Sequence, residues 1–112
     1  PIPMYGDGST YRDYTYIDDV ISGINAAIDY TDSQFEIINI GNSQTIGLLE
    51  MIKTIEKALG KKANIAQLPM QAGDVPCTSA NISKAQKLLN YQPLTSFTEG
   101  IRKYIEWLEI NA

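Results

Sequence analysis

Residues 35–68 read FEIINIGNSQTIGLLEMIKTIEKALGKKANIAQL, and the fold turns on how that stretch is divided. Phe35–Ile40 is rich in β-formers and stops at Gly41-Asn42. From about Ile46 to Leu59 the spacing predicts a helix, with Leu48, Ile52, Ile55 and Leu59 on one face. Gly60 stands where a left-handed residue ends a helix, and Lys61-Lys62 complement the negative end of its dipole. Asn64–Leu68 is a further strand, closed by Pro69. Strand, helix and strand with short joints make a βαβ unit, with parallel strands near 35–40 and 64–68 and a right-handed crossover. The chain is therefore expected to be α/β.

The flanking segments extend this pattern. Ile2–Tyr5 reads as a short strand ending at Gly6, and Asp13–Ile17 as a second one with alternating aromatics. Asp18-Asp19 suit the positive end of a helix dipole, and Val20, Ile21, Ile24, Ala27 and Ile28 give that helix an apolar stripe. It ends near Asp29–Ser33. Asn81 is placed to cap a short helix through Asn90. Ser96-Phe97-Thr98-Glu99 is a capping box for a last helix, whose stripe is Phe97, Ile101, Tyr104, Ile105 and Leu108. The count is about four helices with short strands between them.

Bulk properties narrow the function. The 112 residues suit a single small domain over 1–112, burying roughly 65% of its unfolded surface. The composition, 44% hydrophobic and 20% charged, is that of a globular protein. Lys and Arg form no stripe and the net charge is −4, which argues against nucleic acid as a partner. No apolar run is long enough for a membrane span, and the N-terminus lacks a signal pattern. The single Cys77 cannot form an internal disulfide, so a reducing cytoplasm is the expected setting. Without histidine, and with one cysteine, neither a zinc site nor a Ser-His-Asp arrangement is expected. The abrupt start inside an apolar stretch, Ile2-Pro3-Met4-Tyr5, suggests a fragment of a longer protein.

Two segments carry candidate chemistry. In Gly6-Asp7-Gly8-Ser9-Thr10-Tyr11-Arg12, a glycine-flanked turn precedes a lone arginine whose planar fork suits phosphate oxygens. The plainer alternative is a hairpin turn with Arg12 paired to Asp13 or Asp7. In Gln71-Ala72-Gly73-Asp74-Val75-Pro76, a polar loop follows a strand, where α/β sheets bind ligands. Asp74 suits sugar or ribose hydroxyls; the alternative is that it merely caps its turn. Cys77 and Trp107 read as packing residues. The chain has no Gly-x-Gly-x-x-Gly fingerprint and no Tyr-x-x-x-Lys pair, so no catalytic residue is assigned to it.

In order and spacing, PIPMYGDGSTYRDYTYIDDVISGI, FEIINIGNSQTIGLLEMIKTIEKALG, LPMQAGDVPCTSANISKAQKLLNYQP and TSFTEGIRKYIEWL together resemble the C-terminal part of the extended short-chain dehydrogenase/reductases. These are NAD-dependent nucleotide-sugar epimerases and dehydratases, and the UDP-glucuronate 4-epimerase-like group is the most similar. The resemblance implies that an N-terminal Rossmann half, absent here, holds NAD and the catalytic residues. NAD is thus expected in the parent enzyme and no cofactor in this chain alone. The partners implied are a UDP-sugar and the Rossmann domain, with oligomers possible in the parent.

Carried over by motif, Arg12 matches a diphosphate-gripping arginine. Pro3, Met4 and Tyr5 match a strand lying along uracil and ribose, and Asp74 matches an acid near the ribose. Gln71 sits where several relatives have a second diphosphate-binding arginine; it offers a neutral amide in place of that charge, which throws more weight on Arg12. The implied function is substrate anchoring for a 4-epimerase. The alternatives are a dehydratase or decarboxylase fragment, or a freestanding binding module.

Overall fold

The computed structural model describes all residues, Pro1–Ala112. In chain order its elements are β1 (Ile2–Tyr5), β2 (Tyr11–Asp13), α1 (Ile17–Asp29), β3 (Thr45–Gly47), α2 (Leu48–Leu59), β4 (Ile65–Leu68), α3 (Ser83–Leu89) and α4 (Phe97–Asn111). The α/β class and the four helices agree with the sequence reading.

The strand pairing does not follow the expected βαβ unit. β4 does pair in parallel, but with β1, from Ile2 opposite Ile65 to Tyr5 opposite Leu68. β2 pairs antiparallel with β3, Tyr11 facing Gly47 and Asp13 facing Thr45. Phe35–Ile40 joins neither sheet. Its side chains still alternate: Ile38 and Ile40 pack on the core, while Phe35 and Ile37 are more than 70% exposed. The period of a strand is present, but this backbone pairs with neither of the two-stranded sheets. The expected strand at Asp13–Ile17 is also displaced. The ladder stops at Asp13, whose carboxylate is drawn away to two loops, as described below.

The helices follow local rules. α2 ends on Gly60 at φ 64°, the left-handed conformation expected there. At α4, Ser96 Oγ accepts from Glu99 N–H at 3.2 Å, half of the capping box. Glu99 itself turns to Arg102 instead of closing the box. The N-cap of α3 is Ile82 and not Asn81, which lies one residue earlier and accepts from Ser83 N–H at 3.1 Å in a turn leading into the helix. The stripe of α4 is only half covered: Tyr104 is exposed and stacks on Trp107, ring centroids 5.9 Å apart.

Two carboxylates tie these elements together. Asp13 accepts backbone N–H bonds from Asn42 (3.0 Å), Ser43 (2.9 Å) and Ala80 (3.0 Å). Asp19, buried on α1, accepts from Leu94 (3.0 Å) and Thr95 (3.0 Å). The sequence reading gave Asp19 only a helix-dipole role; in the fold it anchors the segment leading into α4. Tyr91, the largest fully buried side chain, donates from its hydroxyl to Gly41 O at 2.8 Å. Gly41 is a close-approach glycine, since a Cβ there would lie 2.5 Å from that of Ala80.

Glu56 closes the joint between α2 and β4. It accepts from Ala63 N–H at 2.8 Å and from Lys62 Nζ at 3.2 Å. The Ala63 bond first, then Lys62, holds its carboxyl below the usual range. A lowered native value means that this contribution is complete above the titration range of the unfolded carboxylate. It is lost as pH falls through the lowered native value. Glu56→Gln should therefore flatten the acid limb of a pH–stability curve and leave its shape at neutral pH unchanged. A variant with the parent's acid limb would count against this role.

Asp13→Ala leaves three backbone donors without an acceptor and should destabilise the chain by about 2–4 kcal/mol in urea unfolding. Asp7→Ala, whose carboxylate only accepts from Ser9 two residues on, should cost well under half of that.

Candidate functional site

The segment from Gly6 to Arg12 is built by two positive-φ glycines. Gly6 (φ 83°) follows β1 and donates its N–H to Leu68 O at 2.8 Å, extending the β1–β4 pairing by one bond. Gly8 (φ 84°) lies so close to Leu49 that a Cβ would meet its Cγ at 2.5 Å. Asp7 accepts from Ser9 N–H at 3.0 Å, which tightens the turn, and the Ser9 hydroxyl first, then this N–H, lowers the Asp7 carboxyl pKa. Thr10 O then accepts from Leu48 N–H at 2.9 Å, fixing the start of α2 beside β2.

The second loop is folded by its own turn. Asp74 N–H donates to Gln71 O at 3.3 Å, and Gly73 takes φ 82°. A residue with positive φ at the third position is what a type II turn requires, and glycine supplies it. The end of this loop is pinned to β2, with Tyr11 N–H on Pro76 O (2.9 Å) and Thr78 N–H on Tyr11 O (3.2 Å). These bonds bring Asp74 within reach of Arg12.

A cleft of about 310 Å³ lies between the two loops. Pro3, Met4 and Tyr5 of β1 line one side, and Arg12 lines another. Leu48, Met51 and Ile52 of α2 form an apolar wall. Gln71 and Asp74 stand at the rim. All six residues singled out in the sequence thus border one cavity, although they come from three separated segments. Met4 is buried, whereas Tyr5 is partly exposed. Thr10, Tyr14 and the α2 residues also line the cleft and were not expected there. The helical periodicity showed that α2 has an apolar face; nothing local says what that face meets.

Arg12 is the only cation lining the cleft. Its Nη2 donates to Asp74 Oδ1 at 2.6 Å, and its Nη1 to Tyr11 O at 2.7 Å. The Arg12 and Asp74 side chains remain 27% and 33% exposed, so the pair is open to an incoming ligand. The plainer expectation for Arg12, a pair with Asp13 or Asp7, does not hold. Asp13 is engaged by three backbone donors, and Asp7 by Ser9. A second cleft of about 240 Å³, between Tyr14–Ile17 and α4, is lined by no charged side chain. Cys77 is exposed, bridges to Tyr11 through its backbone, and faces no base. No group of three or more metal-ligating side chains converges anywhere in the structure, and no helix is long and apolar enough to cross a membrane.

Residues 1–104 match the family model described as GDP-mannose 4,6 dehydratase. The chain is 40% identical over 112 residues to the UDP-glucuronate 4-epimerase of Thermodesulfobacterium geofontis, covering 99% of this chain and 34% of that protein. Among solved structures, it resembles UDP-glucuronic acid 4-epimerase from Bacillus cereus, in complex with UDP-glucuronic acid and NAD. The TM-score is 0.85 at 40% identity, over 96% of this chain and 36% of that one. It also resembles MoeE5 in complex with UDP-glucuronic acid and NAD, with a TM-score of 0.94 at 28% identity, over 100% of this chain and 38% of that one. The chain spans about a third of the length of these relatives.

The NAD of those relatives can be tested against the residues present here. A dinucleotide sits where a parallel strand passes through a glycine-rich turn directly into a helix. Here β1 runs through Gly6-Asp7-Gly8 to another strand, and β4 runs into the loop from Pro69 to Pro76. Neither opens a helix, so these residues do not fit NAD, and no chemical step is assigned to it on this chain.

Proposed function

This chain belongs to the GDP-mannose 4,6 dehydratase family of extended short-chain dehydrogenase/reductases, whose C-terminal region it matches; on that premise we propose that it anchors the nucleoside diphosphate of a UDP-sugar for a 4-epimerase. The observation that carries this reading is the convergence of Pro3, Met4, Tyr5, Arg12, Gln71 and Asp74 on one cleft with a single guanidinium. In this reading Arg12 holds the diphosphate. β1 runs beside the base and ribose, and Asp74 accepts from ribose hydroxyls. Gln71 offers a neutral amide where charge is missing. Binding energy from this remote part of the substrate holds the sugar in place for chemistry carried out by residues elsewhere. The 40% identity to named UDP-glucuronate 4-epimerases favours epimerisation. The description of the family model favours a dehydratase, which would be recognised by loss of water from the sugar rather than inversion at C4.

The reading includes a partner, the Rossmann half of the parent enzyme, in a cytoplasmic setting. Three features support it. Only 10 of 112 residues are buried. The radius of gyration is 16.8 Å, against about 13 Å for a self-contained domain of this length. On α1, Gly23 and Asp19 face the core, while Ile17, Ile21, Ile24 and Ile28 run along another face, each between 46% and 73% exposed. With the unpaired Phe35–Ile40 backbone nearby, this is the surface of an element that expects a second layer.

Arg12→Ala should weaken UDP binding about ten- to a hundredfold, the loss of roughly 1.5–3 kcal/mol for a charge-assisted contact, read by NMR titration. Unchanged affinity would overturn the anchoring role. Mixed with the N-terminal two thirds of the Thermodesulfobacterium geofontis enzyme, the chain should form a one-to-one complex on gel filtration. An Ile21→Lys, Ile24→Lys double variant should fail to do so while keeping its response to UDP.

A further inference from the structure

The one guanidinium of the cleft is already occupied by a side chain of the chain itself. Arg12 Nη2 donates to Asp74 Oδ1 at 2.6 Å, a short charge-assisted bond across 62 residues of sequence. Both loops are held so that this contact forms. Arg12 lies in the β2–β3 ladder, opposite Ile46. Asp74 is set by its turn at Gly73 and by the Pro76–Thr78 bonds to Tyr11. No other side chain competes for either group: Arg12 makes its remaining bond to Tyr11 O, and Asp74 accepts from Arg12 alone.

We infer that Asp74 is a specificity-determining residue, an internal counter-anion that makes the cleft reject bare phosphates. This inference rests on the anchoring role proposed above. A free phosphate or pyrophosphate entering the cleft must displace a carboxylate from Arg12 and then sit beside that carboxylate, negative against negative. A nucleoside diphosphate meets the same obstacle but brings hydroxyl donors that can take up the displaced oxygens. It also brings a base for the wall formed by β1 and α2. The counter-anion therefore costs the bare anion more than it costs the nucleotide. This difference in cost is a source of specificity that does not depend on an extra contact to the preferred ligand. The neutral Gln71 at the rim fits the same design, since a second cation there would restore affinity for any phosphate.

The experiment is a paired titration of the 112-residue chain with UDP and with inorganic pyrophosphate, for the parent, Asp74→Asn and Asp7→Asn. Asp7→Asn removes the same unit of charge outside the cleft lining and serves as the control for long-range electrostatics. The side-chain nitrogen resonances of Arg12 are followed in the unliganded proteins. In the parent these should show slowed exchange and hindered guanidinium rotation, both lost in Asp74→Asn. Asp74→Asn should bind pyrophosphate about tenfold more tightly than the parent, while UDP binding changes less or weakens. The preference for UDP over pyrophosphate should fall by about that factor.

A preference unchanged in Asp74→Asn, or lowered equally by Asp7→Asn, overturns the inference and leaves the anchoring role intact. A gain in pyrophosphate affinity in a chain that never binds UDP overturns the nucleotide reading and leaves the counter-anion standing. Free rotation of the Arg12 guanidinium in the parent, with no gain in the variant, removes the counter-anion altogether.

Discussion

Asp13 holds the molecule together at the point where its parts have least reason to meet. Its two oxygens receive backbone N–H groups from the turn after Phe35–Ile40 and from the segment ahead of α3. It sits immediately after Arg12, at the end of β2. The carboxylate that organises two loops and the guanidinium that faces the cleft are thus consecutive residues, pointing to opposite sides of one short strand as the pleat demands. If Asp13 is displaced, the aim of Arg12 is lost with it. The loop that carries Asp74 is tied to the same strand at Tyr11, so both halves of the cleft's ion pair take their position from three residues.

Much of this was legible in the sequence, and the division has a physical cause. The helices could be read because their information is local: apolar residues at i, i+3 and i+4, Gly60 to stop one, Ser96 to start another. Arg12, Gln71 and Asp74 could be singled out because they lie on or just after glycine-bearing turns, whereas Pro3, Met4 and Tyr5 were indicated only by the resemblance to the extended short-chain dehydrogenase/reductases. What could not be read was which strand pairs with which. Phe35–Ile40 has the alternation of a strand and lies close in sequence to β4, so a βαβ unit was the economical choice. The choice fails because pairing is set by contacts far apart in sequence, and β4 pairs with β1 from the far end of the chain.

The acids show the same limit more sharply. Asp7, Asp13, Asp19 and Asp74 look alike in the sequence, yet each does something different. One tightens a local turn, one staples two loops to β2, one anchors the entry to α4 and one pairs with Arg12. Only the first acts within two residues of itself, and only its role can be seen from its neighbours. The others serve partners 29 or more residues away, and no local signal encodes such a choice.

The parallel pairing of β1 with β4 has a consequence for the order of events in folding. Every residue between Tyr5 and Ile65 must be threaded before the first bond of that ladder closes, and the Arg12–Asp74 contact closes a loop of similar span. Loop closure of this kind comes before any reward from the contact it allows, which makes such pairings slow relative to helices and hairpins. A chain emerging from the ribosome can hold α1 while β1 is still without its neighbour. The cleft is therefore absent while α1 and α2 already stand, and a newly made chain carries its first helices before it is able to grip a ligand.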